Sequence, residues 1–134
     1  MTITRIDPPT INSAPGLIAQ IAVPHDRDLV FVSGQVPFDQ DARVVSDDFG
    51  EQARQALKNI ADVLKEAGAK PENIVRMTWY VTDKREYLAA GRQVSQAFRE
   101  LIGHYDIAMT AVEVKALIED RAKVEIEVTA VLPD

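Results

Sequence analysis

The sequence predicts an α+β protein, one β-sheet with two helices packed on the same face. Two amphipathic stripes, each preceded by a capping residue, mark the helices. Runs that alternate apolar and polar side chains mark the strands around them. The order that results is β-β-(β)-α-β-α-β-β. A length of 134 residues suits one domain, since domains commonly run about 100–150 residues. Residues 1–134 are therefore read as a single unit.

Residues 7–15 hold three of the seven prolines and predict an extended, irregular lead-in. Residues 17–23 and 29–35 are short apolar runs joined by the polar turn Pro24-His25-Asp26-Arg27-Asp28, which predicts two strands. Leu29-Val30-Phe31-Val32 is apolar on both faces and is expected to be a central, buried strand. After a turn at 40–43, Val44-Val45 is expected to be a brief return strand.

Asp48 and Glu51 have capping-box spacing, and Ala53, Leu57, Ile60, Leu64 and Ala67 form one apolar stripe behind them. Gly68 and Pro71 mark the helix end. Residues 74–82 alternate: Val75, Met77, Trp79 and Val81 share one face, Arg76, Thr78, Tyr80 and Thr82 the other. Asp83 and Glu86 repeat the cap. Tyr87, Gly91, Val94, Phe98 and Leu101 then read as the buried stripe of a second helix that Gly103 stops. Residues 108–117 and 123–132 are the last strands, with Val124, Ile126, Val128 and Ala130 facing the core. Two helices cover one face of one sheet. The other face, semi-polar and mixed, is expected to meet another subunit.

Composition narrows the chemistry. Hydrophobic residues make up 46% and charged residues 27%, an ordinary globular balance. The net charge of −6 lacks the basic footprint of a nucleic-acid groove. With no cysteine, thiol catalysis, thiolate zinc sites, iron–sulfur clusters and disulfides are excluded. No stretch approaches the roughly 18 apolar residues of a membrane span. The start has no apolar run of signal-peptide length, so the expected compartment is the cytoplasm. His25 and His104 fall in different loops without metal-ligand spacing. His104-Tyr105-Asp106 reads as an orienting pair or, more plainly, as a solvated loop. Glycine-rich phosphate loops and the G-x-S-x-G elbow are absent from the sequence.

Four places carry candidate chemistry. Ser33-Gly34-Gln35 ends a strand, where a hydroxyl and a glycine let backbone approach a ligand; the plainer reading is a bend before Pro37. Glu125 and Glu127 point to one sheet face, with Glu113 and Lys115 expected across the ladder. That arrangement fits either cross-strand ion pairs or a general acid/base in an inter-subunit cleft. Arg92, beside Gly91, has the planar fork that grips a carboxylate, or it makes an ordinary surface pair. Met77 and Met109 read first as core filler.

Assembled, these blocks resemble the RidA/YjgF family of small proteins. The resemblance is carried by Ser33-Gly34-Gln35-Val36-Pro37, residues 51–60, residues 75–83, Val112-Glu113-Val114 and residues 123–131, in family order across roughly 16–132. It implies a chorismate-mutase-like α+β fold and a homotrimer whose sheets pack inward, with small-molecule ligands in clefts between subunits. It further implies hydrolysis of reactive enamines and imines to a carbonyl compound and ammonia, with no cofactor; charge and hydropathy, not the resemblance, speak for no nucleic acid and no membrane as partners. In the family a strand arginine grips the substrate carboxylate and a strand glutamate assists with water or protons.

The match keeps Ser33, Gly34 and Glu125, the last as the implied catalytic group. It departs where the family arginine stands, which is Met109 here. Ile107 replaces the family proline, Ala111 the cysteine and Ile18 the tyrosine. A thioether cannot form a charged fork, and losing such a contact at a buried site costs about 2–5 kcal/mol. Three readings follow from the resemblance. Ile18, Met109 and Ala111 line the cleft for a more apolar molecule; or Arg92 supplies the missing charge; or the trimer is a binding or regulatory module. An endoribonuclease role suits the acidic chain least.

Overall fold

The computed structural model describes residues 3–6, 21–103 and 106–133. Strands β1 (Ile3–Ile6) and β2 (Ile21–Pro24) pair antiparallel as a two-stranded unit. β1 is an addition to the predicted set, and the irregular lead-in expected at residues 7–15 lies outside the described residues. β3 (Leu29–Gln35), β4 (Ile74–Val81), β5 (Ala108–Glu113) and β6 (Val124–Val131) form the main sheet in the order β3-β6-β4-β5. β6 runs antiparallel to both neighbours, and β4 pairs parallel with β5.

Helix α1 (Phe49–Glu66) starts where the capping spacing predicts. The Asp48 carboxylate accepts the Glu51 N–H at 2.9 Å. Past the C-terminus Gly68 takes φ +80°, a conformation that favours glycine and closes the helix. Ala53, Leu57, Ile60 and Leu64 are fully buried against the sheet. Each Leu or Ile removed from water there contributes about 1.5–3 kcal/mol. From β4 and β6, Met77, Trp79, Ile126 and Val128 supply the other half of this core.

The second predicted helix is two. α2 (Lys84–Ala89) is capped by Asp83, whose carboxylate accepts the Arg85 and Glu86 N–H groups. α3 (Gly91–Leu101) begins after a break at Ala90. Gly91 is exposed, not buried on the stripe. Low helix propensity and the lack of a side chain suit it to the break rather than to packing. Ala97 and Phe98 make the buried contacts instead.

Three strand expectations are also corrected. β3 is an edge strand, with Leu29 48% and Phe31 75% exposed. Its apolar residues on both faces reflect a sheet face left open, not a central position. Val44 makes only an isolated bridge with Phe38, and β5 stops at Glu113.

Candidate functional site

Between Val32 and Gln35 the pairing of β3 with β6 shifts register, a bulge that contains Ser33 and Gly34. The bulge turns Gly34 toward Glu125. A Cβ built on Gly34 would lie 2.1 Å from Glu125 Oε2 and 2.8 Å from its Cδ, so only glycine leaves room for this carboxylate. Ser33 is exposed beside it. Two backbone anchors hold the segment. Asn59 of α1 donates to the Val36 and Phe38 carbonyls at 3.1 and 2.9 Å, and Gln35 donates to the Ser33 carbonyl at 3.0 Å.

Glu125 and Glu127 lie on the sheet face away from the helices, as their alternation predicts. Their ladder neighbours on β4 are Tyr80 and Thr78. Glu113 and Lys115 are not beside them, because β4 separates β5 from β6. Glu113 instead accepts the Lys84 N–H at 2.9 Å. The Tyr80 hydroxyl donates to Glu127 Oε1 at 2.6 Å. That hydrogen bond, then burial and the charges of Glu127 and Glu125, raise the Tyr80 pKa above the ordinary tyrosine value, against a smaller lowering effect of Arg76.

Met109 and Ala111 stand opposite Met77 and Trp79 in the parallel β4–β5 register, so they share the helix-covered face. The structure thus puts Ser33, Gly34 and Glu125 on one side of the sheet and Met109 and Ala111 on the other. Ala111 is exposed at the sheet edge. Met109 packs against the core and lines a cavity of about 220 Å³ with Trp79, Tyr87, Val94, Ser95 and Phe98. The exposed Leu88 and Gly91 complete its lining. The Tyr87 ring meets the edges of Phe49 and Trp79 with centroids 6.0 Å apart in each case. Burial raises the Tyr87 pKa, which keeps its hydroxyl neutral. The Trp79 indole N–H is buried without an acceptor among the described residues.

Arg92 does not line this cavity. It lies in an adjoining depression with Gln96 and Arg99, which shares Gly91 and Ser95 with the cavity. Ile18, His104 and Tyr105 fall outside the described residues. His25 shares a 2.8 Å hydrogen bond with Thr4 across β1 and β2. Among the described residues there is no group of three or more His, Asp or Glu able to hold a metal ion, and no helix long and apolar enough to cross a membrane.

The aromatic cavity was not foreseen as part of a site. Trp79 on β4 and Tyr87, Val94 and Phe98 on the helices all read as core from their periodicity. A cavity is a failure of packing between such faces, and periodicity cannot register it. Glu125 over Gly34 was legible only as two separate candidates.

A mixed sheet with its helices on one face is the architecture of a small α+β protein, and here a glutamate lies over a bulge glycine on the other face. The Endoribonuclease L-PSP family model matches residues 17–132. The 2-iminobutanoate/2-iminopropanoate deaminase of Salmonella typhimurium is 35% identical over 103 residues, 77% of this chain and 79% of that enzyme. Among solved structures, the Yersinia pestis YyfB protein of the conserved Rid family superposes with a TM-score of 0.85 at 27% identity, covering 98% of this chain and 100% of that one. Escherichia coli TdcF with bound serine gives a TM-score of 0.70 at 30% identity, covering 97% and 99%. The chain belongs to this family, RidA/YjgF.

Proposed function

We propose that the protein is a homotrimer that hydrolyses enamines or imines to a carbonyl compound and ammonia, in clefts where the open face of one chain meets the β5 edge of the next. The observation that carries this reading is the seat of Glu125 over Gly34. The bulge brings Gly34 up to the carboxylate and leaves free the space that it occupies on an open sheet face, where a proton carrier reaches a ligand. Opposite-face placement of Glu125 and Met109 supports an inter-subunit site, because the two groups approach one ligand only across two copies. The exposed Phe31, Leu29 and Val112 give the open face the apolar surface that such an assembly covers.

In the step proposed, a water oxygen adds to the imine carbon while Glu125 takes a proton from the water. That proton passes to the nitrogen and gives a carbinolamine. Its hydroxyl then gives up its proton, again through Glu125, to the nitrogen as the C–N bond breaks with its electron pair leaving on nitrogen, so that ammonia departs and the oxygen becomes the carbonyl. An enamine first takes a proton on carbon to become the imine. The deaminase name of the Salmonella relative supports this chemistry. Met109 favours a second reading, a trimer that binds a small metabolite without turning it over. RNA cleavage, which the family description names, is poorly served by a net charge of −6.

The test generates imines in solution from 2-amino acids with an amino-acid oxidase, dioxygen taking up the two electrons, and follows carbonyl and ammonia release with and without the protein. Acceleration that drops at least about tenfold in Glu125→Gln, worth about 1.4 kcal/mol of barrier, is expected. Saturable binding without acceleration would select the binding trimer, and full activity in Glu125→Gln would remove the proton-carrier role.

A further inference from the structure

We infer that the cavity between β4, β5 and α2–α3 receives an uncharged aromatic or branched-aliphatic group of the substrate. The protein's imines would then carry such a group, which this cavity takes up. The inference rests on the deaminase reading for its chemistry and adds the substrate class.

Three observations lead to it. First, none of the residues that line the cavity is charged. A carboxylate placed there finds no cation to offset the water it gives up, a penalty that an apolar group does not meet. Arg92 is in the neighbouring depression, not in the wall. Second, the volume suits one ring or one branched chain. At about 220 Å³ it exceeds the roughly 150 Å³ of an apolar protein cavity that takes up benzene. Third, the walls are the flat and polarizable surfaces of Trp79, Tyr87, Phe98 and Met109. Rings pack favourably on such aromatic walls, and a thioether adapts to their shape. The polar groups on hand, the Ser95 and Tyr87 hydroxyls, are neutral donors that orient a ligand without demanding an anion.

Trp79 is the chain's only tryptophan, so its emission reports on the cavity directly. Toluene, cyclohexanone and pyruvate serve as probes of the full-length protein, each followed by Trp79 emission and by thermal shift. Toluene and cyclohexanone are expected to saturate both signals at concentrations at least tenfold below any effect of pyruvate. Two variants locate the effect. Gly91→Leu, at an exposed position where a Cβ meets nothing within 4 Å, keeps the fold and covers the mouth. Met109→Arg puts a cation into the wall. Both are expected to weaken toluene binding at least fivefold, and Met109→Arg to strengthen pyruvate binding.

Pyruvate binding as tightly as toluene in the parent protein would overturn the inference. So would toluene binding unchanged in both variants, or probes that move neither signal. Failure of the two readings is separable. Toluene bound in the cavity with no imine turned over leaves the cavity assignment standing and removes the deaminase reading. Faster turnover of pyruvate-derived imine than of imines with phenyl or isobutyl groups does the reverse.

Discussion

Gly34 and Glu125 are sterically matched: a single methyl group on the glycine would occupy the place of the Glu125 carboxylate, 2.1 Å from Oε2. Gly34→Ala therefore separates positioning from folding. The atoms in the way are the far end of a flexible side chain, which swings aside at little cost. Stability should stay within about 1 kcal/mol of the parent in a urea titration. Imine hydrolysis should fall at least about tenfold, close to the effect of Glu125→Gln. Parent-like turnover in Gly34→Ala would show that the seat of this carboxylate does not matter to the reaction.

Phe31 tests the assembly. It is 75% exposed on the edge strand β3, whose open face also carries Leu29, while Val112 is exposed on the opposite edge strand, β5. Covering a phenylalanine of this kind stabilises an interface by about 1.5–3 kcal/mol per copy. Phe31→Glu replaces that gain by a charge that an interface there would have to desolvate. Light scattering on the parent protein should return the mass of three chains and on Phe31→Glu the mass of one. A parent that runs as a single chain removes the inter-subunit cleft.

Local rules carried much of the fold. Asp48, Asp83 and Gly68 marked helix ends through hydrogen bonds made within a few residues, so their spacing was enough. The alternation assigned the core face correctly along β6 and at Met77, Trp79 and Val81 of β4, because each strand packs one side on helices; at the start of β4 a register shift puts Ile74, not Val75, into the core cluster. What local rules missed depends on neighbours remote in sequence. β3 is at the edge because β6 returns beside it, and Glu113 is distant from Glu125 because β4 lies between them. The side of the sheet on which Met109 falls follows from its parallel register with Met77, which no spacing within residues 108–117 reveals. The break at Ala90 was missed because the apolar stripe continues across it in phase.

Gln52 is fully buried and was not marked as important in the sequence, yet it ties α1 to the chain entering β6. Its amide donates to the Ser46 and Arg121 carbonyls at 2.8 and 3.1 Å, and its carbonyl accepts the Lys123 N–H at 2.8 Å. Gln52→Leu keeps the volume roughly and leaves three backbone groups short of a partner. A loss of about 2–3 kcal/mol in urea unfolding is expected. A loss below about 0.5 kcal/mol would mean that water replaces the amide without penalty.

The Tyr80–Glu127 hydrogen bond predicts a stability change at high pH. The hydroxyl that donates to Glu127 Oε1 is harder to ionise in the folded chain, chiefly because of that bond, so its folded pKa lies above the ordinary 10.0. Between those two values the unfolded chain has released a proton that the folded chain still holds. Stability is therefore fully present below pH 10 and declines as pH rises from there toward the folded pKa. Tyr87, raised by burial, acts with the same sign. Urea titrations from neutral to strongly alkaline pH should show the parent losing stability above pH 10, and Tyr80→Phe losing less of it. The tyrosinate absorbance band should show one fewer late-titrating group in the variant. Equal alkaline losses in the two proteins would mean that Glu127 does not hold the Tyr80 proton in solution.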